Sequence, residues 1–225
     1  MDRRHFIAAS AIMTPGAVAA QAADSAKDPV RIVGLCCSPR QGKTTHYAVK
    51  EALAEAAKVD SRIETEVIEL AGMKIDGAPA AGLPSAFGDE DQFGEVSARL
   101  VAPQVKGLIV GTPTYFGNMS YLCKIFLDRC IALRGKFALA DKVAGVIAVG
   151  AARNGGQELA IASVQAVLMT HEMIVVGDGR PTAHRGATVW SGIEGGVEAD
   201  TWGLSTARNL GRRVAAVALG LVPPA

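Results

Sequence analysis

The sequence predicts an α/β domain in which a parallel sheet carries helices on both faces. Short apolar runs, typical of buried strands, alternate along the 225 residues with segments whose apolar residues recur at helical spacing. Hydrophobic residues make up 49% of the chain, aromatic residues only 5%, and glycine contributes 25 residues, which favours small aliphatic packing with tight turns. A chain of this length fits one such domain.

The predicted elements follow one another as strand, then helix. The first apolar run, residues 30–36, ends at a polar turn before a helical segment at 47–57. The second run, 63–70, alternates apolar and charged residues, which predicts a strand near an edge of the sheet. Residues 71–90 lack a periodic pattern and predict a long loop. The other predicted elements are strands at 105–111, 142–150 and 173–177, and helices at 91–102, 119–133, 155–170 and 199–220.

Five units of this kind indicate one arrangement of the sheet. Strands joined through helices run parallel, and right-handed crossovers place the helices on both faces. The prediction is a flavodoxin-like, doubly wound, five-stranded parallel sheet with strand order 2-1-3-4-5. No internal repeat or linker divides the chain, so one domain is expected over residues 24–225.

The charge of the chain argues against one class of partner. The sequence has 23 basic and 22 acidic residues, a formal net charge of +1, and no basic run beyond its first few positions. A nucleic-acid-binding surface needs a basic patch. Nucleic acid is therefore not an expected partner.

The first 22 residues resemble a targeting segment. Arg3 and Arg4 precede a mildly apolar, alanine-rich stretch, and residues 20–22 offer an A-x-A cleavage site. The paired arginines resemble a twin-arginine signal, which exports folded proteins. The stretch is too short and too weakly apolar to span a membrane. Export to the periplasm is the expectation, with a frayed N-terminal helix as the alternative. Without residues 1–22 the chain has 21 basic and 21 acidic residues.

The four cysteines indicate neither a metal site nor a disulfide. Cys36 and Cys37 are adjacent, and Cys123 and Cys130 lie seven residues apart, so the sequence has no C-x-x-C motif. Seven helical residues span about 10 Å, which is beyond the reach of a disulfide. We expect all four side chains to be buried or half-buried as small apolar groups.

The loop after the first strand predicts a phosphate site. It carries hydroxyl groups and two cations just before a helix, where free backbone N–H groups and the helix dipole favour an anion. Two alternatives stay open: a Walker A loop, whose first glycine is replaced here by Cys37, and an ordinary polar helix cap. The predicted phosphate-binding residues are Ser38, Arg40, Gly42, Lys43, Thr44 and Thr45.

The loop after the third strand combines hydroxyls, an amide and two adjacent aromatic side chains. A planar heterocycle needs this mixture, because polar groups bond its edge and an aromatic wall covers its face. The alternative is a strand-to-helix loop in which Asn118 or Ser120 caps the helix. The candidate ring-binding residues are Pro113, Thr114, Tyr115, Phe116, Gly117 and Asn118.

The loop after the fourth strand is made of small residues and glycines, which let the backbone approach a ligand closely. In an open parallel sheet, ligands bind at the carboxyl ends of the strands, where the strand order reverses. All three loops are expected to meet at that edge. The candidates in this third loop are Ala152, Arg153, Asn154, Gly155 and Gly156.

Together these motifs resemble those of a known family. Residues 38–44 resemble the S-P-R-x-x-G-N-T phosphate loop of the NAD(P)H-dependent FMN reductases and iron-sulfur flavoproteins. Residues 111–120 resemble the G-T-P-x-x-F-G-N-M-S flavin loop of the related quinone oxidoreductases named for tryptophan-repressor binding, and 154–158 resemble their third loop. The resemblance implies FMN as cofactor, NAD(P)H as a possible co-substrate, a small-molecule redox substrate, and a homo-oligomer, either a dimer or a tetramer.

Carried onto this chain, the resemblance places the phosphate on residues 38–45, the isoalloxazine along 113–118, and its pyrimidine side against 152–156. Lys43 departs from the family pattern, which has Asn there, and adds charge to the phosphate site. Residues 75–91, where iron-sulfur flavoproteins carry their cysteines, contain none, so no iron-sulfur cluster is expected. The flavin would carry the chemistry, so no catalytic side chain is nominated.

Two other functions stay open. A flavodoxin-like electron carrier usually has a strongly acidic surface, which this nearly neutral chain lacks. A P-loop phosphotransferase would bind nucleotide with magnesium. In the irregular segment predicted at 178–199, His184 and Arg185 are weaker candidates for contact with a substrate or a partner subunit. Trp190 and Trp202 are expected to pack at the edge of that segment.

Overall fold

A computed structural model describes residues 29–220, and the targeting segment predicted at 1–22 lies outside them. The described strands are all parallel and form one sheet. They are β1 (Val30–Cys36), β2 (Ile63–Glu69), β3 (Val105–Pro113), β4 (Val143–Gly150), β5 (Ile174–Val175) and β6 (Ala187–Trp190). The order is β2-β1-β3-β4-β5, with β2 at one edge, which confirms the predicted flavodoxin-like arrangement.

Helices cover both faces of the sheet, as the strand-helix alternation predicts. They are α1 (Thr44–Ala56), α2 (Phe93–Val101), α3 (Tyr121–Arg129), α4 (Ile131–Arg134), α5 (Gln157–Thr170) and α6 (Thr201–Ala218). One hydrophobic core packs α1 and α6 against the sheet, and a second packs α2, α3 and α5 against the other face. Within residues 29–220, no helix combines the length and apolarity needed to cross a membrane.

The fifth position of the sheet is shared by two short strands. β5 pairs with the start of β4 at Val143 and Ala144, whereas β6 pairs with its end. The prediction of irregular structure throughout 178–199 is therefore wrong at β6. A four-residue strand is too short to show a period in the sequence, and its identity depends on pairing with β4.

The long loop predicted at 71–90 contains two 3-10 turns, Ala78–Ala81 and Gly88–Glu90. Its ends are fixed to α3, because Arg129 Nη1 donates to Asp91 Oδ2 at 2.7 Å and to the Asp76 carbonyl at 2.6 Å. Burial disfavours the charge on Asp91, but hydrogen bonds from Arg129 and other donors outweigh it and hold the pKa of this carboxyl well below its usual range. The loop is thus a fixed part of the fold.

Helices α1 and α6 lie close to the sheet because glycines face them. A Cβ atom on Gly34 would lie 2.5 Å from Val49 Cγ1, and one on Gly111 would lie 2.3 Å from Val49 Cγ2. A Cβ on Gly145 would lie 2.9 Å from Leu210 Cδ1. A larger side chain at these positions would push the helices outward. The start of α1 is thereby held directly over the carboxyl ends of β1 and β3.

The contact between α1 and α6 yields a stability prediction. A Cβ on Gly211 would lie 1.9 Å from the carbonyl oxygen of Ala52, which belongs to rigid helix backbone. Gly211→Ala should destabilise the fold by about 1–3 kcal/mol, although alanine gains roughly 1 kcal/mol in helix propensity. Gly94→Ala in α2, where the added Cβ meets nothing within 4 Å, should be neutral or slightly stabilising. Urea unfolding of both variants tests this, and equal stabilities would contradict the packing argument.

Candidate functional site

The loop between β1 and α1 presents an uncapped helix N-terminus beside two unpaired cations. The start of α1 receives no side-chain cap, and its first turn contains no acidic residue. Arg40 and Lys43 are exposed, and within residues 29–220 their side chains make no ion pair or hydrogen bond. Ser38 is buried, and its Oγ accepts a hydrogen bond from the Arg40 amide at 3.1 Å. Backbone N–H groups and positive charge therefore converge where an anion is stabilised.

A carboxylate at the end of β2 holds the same loop. Glu69 Oε1 accepts a hydrogen bond from the amide of Gly42 at 2.9 Å, and Gly42 has a φ of +64°, which favours glycine. His46 Nδ1 lies 2.9 Å from the same carboxylate oxygen, without the alignment of a hydrogen bond. Sequence reasoning missed Glu69, because nothing local to this strand residue connects it to a loop 27 positions earlier.

The loop after β3 is a tight hairpin that exposes aromatic side chains. Tyr115 and Asn118 exchange two backbone hydrogen bonds of 3.0 Å each. The two residues between them, Phe116 and Gly117, have φ values of +50° and +73°. Phe116 is fully exposed and Tyr115 is 41% exposed. The hairpin therefore exposes an aromatic surface beside the loop between β1 and α1.

Ser120 fixes the β1 and β3 loops to one another. Its Oγ donates to the carbonyl of Cys37 at 2.6 Å and accepts from the Cys123 amide at 3.1 Å, so it caps α3. Thr112 Oγ1 in turn accepts from the Ser120 amide at 3.0 Å. Of the two capping residues considered from the sequence, the structure uses Ser120, while Asn118 bonds the next amide along the chain. The two loops consequently form one rigid unit.

The β4 loop joins this unit through glycine. Gly156 has a φ of +90°, and a Cβ there would lie 2.7 Å from the Cα of Gly117. Buried Gln157 shapes the rest of the loop, because its Nε2 donates to the Ala152 carbonyl at 2.6 Å and its Oε1 accepts from the Gly155 amide at 2.8 Å. Sequence reasoning missed this role of Gln157. The structure thus brings all three predicted loops together at one edge.

Two of the predicted cofactor-binding residues, Thr114 and Arg153, differ in whether their side chains already have hydrogen-bond partners. Thr114 Oγ1 is buried and lacks a hydrogen-bond partner within the described chain, while the Thr114 amide donates to the Val149 carbonyl at 2.8 Å. Arg153 is already engaged: its Nη2 donates to Asp200 Oδ1 at 2.7 Å, and its guanidinium lies 5.0 Å from the centre of the Trp190 ring. Thr114 has an unused hydroxyl for a ligand, whereas Arg153 is turned toward β6.

All four cysteines are buried and unbridged, as predicted. Burial raises the pKa of Cys36 to about 11 and that of Cys130 to about 12, so both remain neutral thiols at ordinary pH. Between residues 29 and 220, no group of three or more His, Cys, Asp or Glu side chains lies close enough to hold a metal ion.

The fold is flavodoxin-like, and the three loops that follow β1, β3 and β4 meet at one edge of its sheet. The chain belongs to the NADPH-dependent FMN reductase family, whose pattern matches residues 30–188. It is a flavin-type oxidoreductase of that family. The resemblance indicated by the three loop motifs is thus confirmed.

Individual relatives agree with this assignment. An iron-sulfur flavoprotein of Methanocaldococcus jannaschii is 39% identical over 191 residues, 84% of this chain and 97% of the relative. An NAD(P)H dehydrogenase (quinone) of Trichlorobacter lovleyi is 34% identical over 155 residues, 69% of this chain and 63% of that protein. The solved structure of a WrbA-like flavodoxin from Agrobacterium tumefaciens has a TM-score of 0.61 at 23% identity, covering 86% of this chain and 99% of that one. This likeness supports the fold.

The position of Ser120 gives a second stability prediction. Ser120→Ala removes the cap of α3 and the bond to the Cys37 carbonyl, both in a fully buried setting. The free energy of unfolding should fall by about 1–3 kcal/mol. Ser205→Ala, which removes one exposed bond to the Trp202 carbonyl, should change it by less than about 0.5 kcal/mol. Thermal and urea unfolding measure both, and similar losses would show that Ser120 does not tie the loops together.

Proposed function

We propose that this chain binds FMN where the β1, β3 and β4 loops meet, and uses it to pass electrons from a reduced nicotinamide to a small acceptor such as a quinone or a free flavin. One observation carries the proposal: the uncapped start of α1, with Arg40 and Lys43 unpaired beside it, is fixed through Ser120 to an exposed aromatic hairpin. The family assignment and the quinone dehydrogenase relative support it.

The residues present fit FMN at both of its ends. A phosphate dianion suits the free N–H groups of α1 and the two cations, because charge-assisted bonds to phosphate are among the strong ones. The ring suits the second loop, where the Thr114 hydroxyl is buried without a partner and Tyr115 and Phe116 are exposed. A flavin edge would satisfy that hydroxyl and cover apolar surface.

When bound, FMN supplies hydride and single-electron transfer. The chain's own residues bind and orient the cofactor. Arg40 and Lys43 would hold the phosphate, the Thr114 hydroxyl would fix a polar edge of the ring, and the exposed hairpin aromatics would shield one face from water. No side chain is assigned as a general acid or base.

In this proposal the cofactor is FMN without an iron-sulfur cluster. Cluster ligands are cysteine thiolates, and residues 75–91 contain no cysteine. The described cysteines are buried, and burial raises the pKa of Cys36 and Cys130 far above the range where thiolates form. The iron-sulfur flavoprotein relative would thus share the flavin loops but not the cluster.

Location and assembly complete the proposal. Residues 1–22 would export the folded, FMN-loaded protein to the periplasm. Phe116 is fully exposed and Tyr121 is 63% exposed, and a partner subunit in a dimer or tetramer would cover this aromatic surface beside the site. Cleavage after residue 22, detected by mass spectrometry of the mature protein, tests the export.

The purified protein tests the proposed activity. It should be yellow, with the bands of oxidised flavin and without the broad absorbance of an iron-sulfur centre. It should oxidise a reduced nicotinamide when a quinone is present. A colourless protein that does not take up added FMN would contradict the proposal. Absence of turnover together with a stable semiquinone on reductive titration would instead identify an electron carrier.

The phosphate loop yields a quantitative prediction. Arg40→Ala and Lys43→Ala should each weaken FMN binding by roughly ten- to a hundredfold, since a charge-assisted bond contributes about 1.5–3 kcal/mol. Riboflavin lacks the phosphate, so its affinity should barely change in either variant. Equilibrium titration of the apoprotein with both ligands measures this.

Lys50→Ala provides the matched control for these variants. Lys50 is an exposed cation on the same helix, beyond the first turn of α1, and its loss should leave FMN affinity unchanged. Equal losses for FMN and riboflavin in Arg40→Ala would assign Arg40 to the ring or the fold. Unchanged FMN affinity in both loop variants would place the phosphate elsewhere.

A further inference from the structure

A cleft lies along the β4 loop, and its lining includes Arg153, Asn154 and Gly156 of the predicted cofactor loop. It encloses about 510 Å³, which is within the range of pockets that hold small organic ligands. One wall is the β4 loop with the start of α5, and the opposite wall comes from β6 and the start of α6. Its chemically active side chains are those of Arg153, Glu158, His184, Trp190 and Trp202.

His184 is held in one orientation by a buried carboxylate. Its Nδ1 lies 3.3 Å from Asp178 Oδ2, and its own amide donates to Asp178 Oδ1. Asp178 is 1% exposed and also accepts from the Thr182 hydroxyl, which in turn is bonded by Asn209 of α6 at 2.7 Å. A carboxylate can only accept, so Nδ1 carries the proton of this contact, and the neutral tautomer then has Nε2 as its hydrogen-bond acceptor.

Arg153 is equally fixed. Asp200, 1% exposed, accepts from Arg153 through Oδ1 at 2.7 Å and from the Trp190 amide through Oδ2 at 2.7 Å. The guanidinium lies over the Trp190 ring, whose Nε1 donates to the Ala151 carbonyl at 2.8 Å. A guanidinium has five N–H donors, so several stay available to a ligand. An acceptor oxygen entering the cleft would meet them.

The charges around the cleft disfavour an anion. Asp200 balances the charge of Arg153, Glu158 adds a further carboxylate to the lining, and Asp178 lies behind His184. Arg153 already occupies the face of Trp190, so its positive charge would repel a cation there. Trp202 remains as an open aromatic surface, 56% exposed and edge-on to His184 with the ring centres 6.5 Å apart.

We propose that this cleft binds a neutral, planar phenolic ligand that also carries a carbonyl oxygen. The phenol O–H donates to Nε2 of His184, the carbonyl oxygen accepts from the Arg153 guanidinium, and the ring packs against Trp202. These contacts depend only on the residues of the cleft. The identification of such a ligand as an electron acceptor rests on the proposed function, in which the β4 loop that lines the cleft also borders the flavin.

A matched series of redox-inactive probes tests the binding. Methyl 4-hydroxybenzoate has both functional groups, methyl 4-methoxybenzoate lacks the O–H donor, and 4-hydroxybenzoate is an anion with the same ring. The first should bind about three- to tenfold more tightly than either of the others, which is the effect of one hydrogen bond or of an unmatched charge. Isothermal titration of the purified full-length protein at pH 7 gives the affinities.

The tryptophans of the chain can report whether a ligand binds in this cleft. It contains two tryptophans, and both line this cleft, so the two indole N–H signals in a ¹⁵N-correlation spectrum report on it directly. Binding of the phenolic ester should shift the Trp202 signal. His184→Ala should abolish the preference for the hydroxyl over the methoxy probe, and Trp202→Ala should weaken both esters about three- to tenfold. Glu194→Ala, which changes an exposed residue outside the lining, should change neither.

Three results would each overturn the assignment. These are indole signals that do not move, an anion that binds as tightly as the ester, and a His184→Ala variant that retains the hydroxyl preference. None of these readouts requires turnover or bound flavin. A colourless protein that shifts the Trp202 signal would thus refute the proposed function and leave the cleft assignment standing, and a yellow protein without the shift would do the reverse.

Discussion

The candidate site depends on how closely helix α1 can approach the sheet. Gly34 and Gly111 leave room for Val49 where any Cβ would lie within 2.5 Å of it, and Gly211 allows the neighbouring helix α6 to pack against the backbone of Ala52. The helix thus packs closely against both the sheet and α6. Its uncapped N-terminus is thereby fixed at the edge where β1 and β3 end, and the surrounding loops are built onto that point.

Local patterns in the sequence were enough to predict the order of strands and helices and the three loops. Each of those features is encoded within about ten consecutive residues, through apolar periodicity or turn chemistry. Contacts between distant residues were not readable in this way. The hydrogen bond from the Gly42 amide to Glu69 joins residues that are far apart in the sequence, and so does the pairing of β6 with the end of β4. Both contacts form only when the sheet brings these segments together. The sequence predicts Thr114 as a polar candidate, but the lack of a hydrogen-bond partner for its hydroxyl is visible only in three dimensions.

Several arginines of the fold are paired with carboxylates, whereas the two cations of the β1 loop are not. Arg129 pairs with Asp91, Arg153 with Asp200 and Arg208 with Glu51, so each of these cations is matched by a neighbouring carboxylate. Arg40 and Lys43 have no such partner within residues 29–220. In a chain whose overall charge is nearly balanced, two unmatched cations at a helix start concentrate the local field at one point.

Two short strands, β5 and β6, share the fifth position of the sheet, and this affects which parts of the chain can change in sequence. β5 and β6 both align on β4, so the intervening segment 176–186 interrupts one sheet position without displacing the strands that flank it. That segment supplies Asp178 and His184 to the cleft and contributes nothing to the three loops of the candidate flavin site. This segment can therefore vary while the β1 and β3 loops stay unchanged, whereas Arg153 of the β4 loop belongs both to the cleft and to the predicted cofactor loop. A mutational library confined to 176–186 would change recognition while the inherited redox scaffold stays intact.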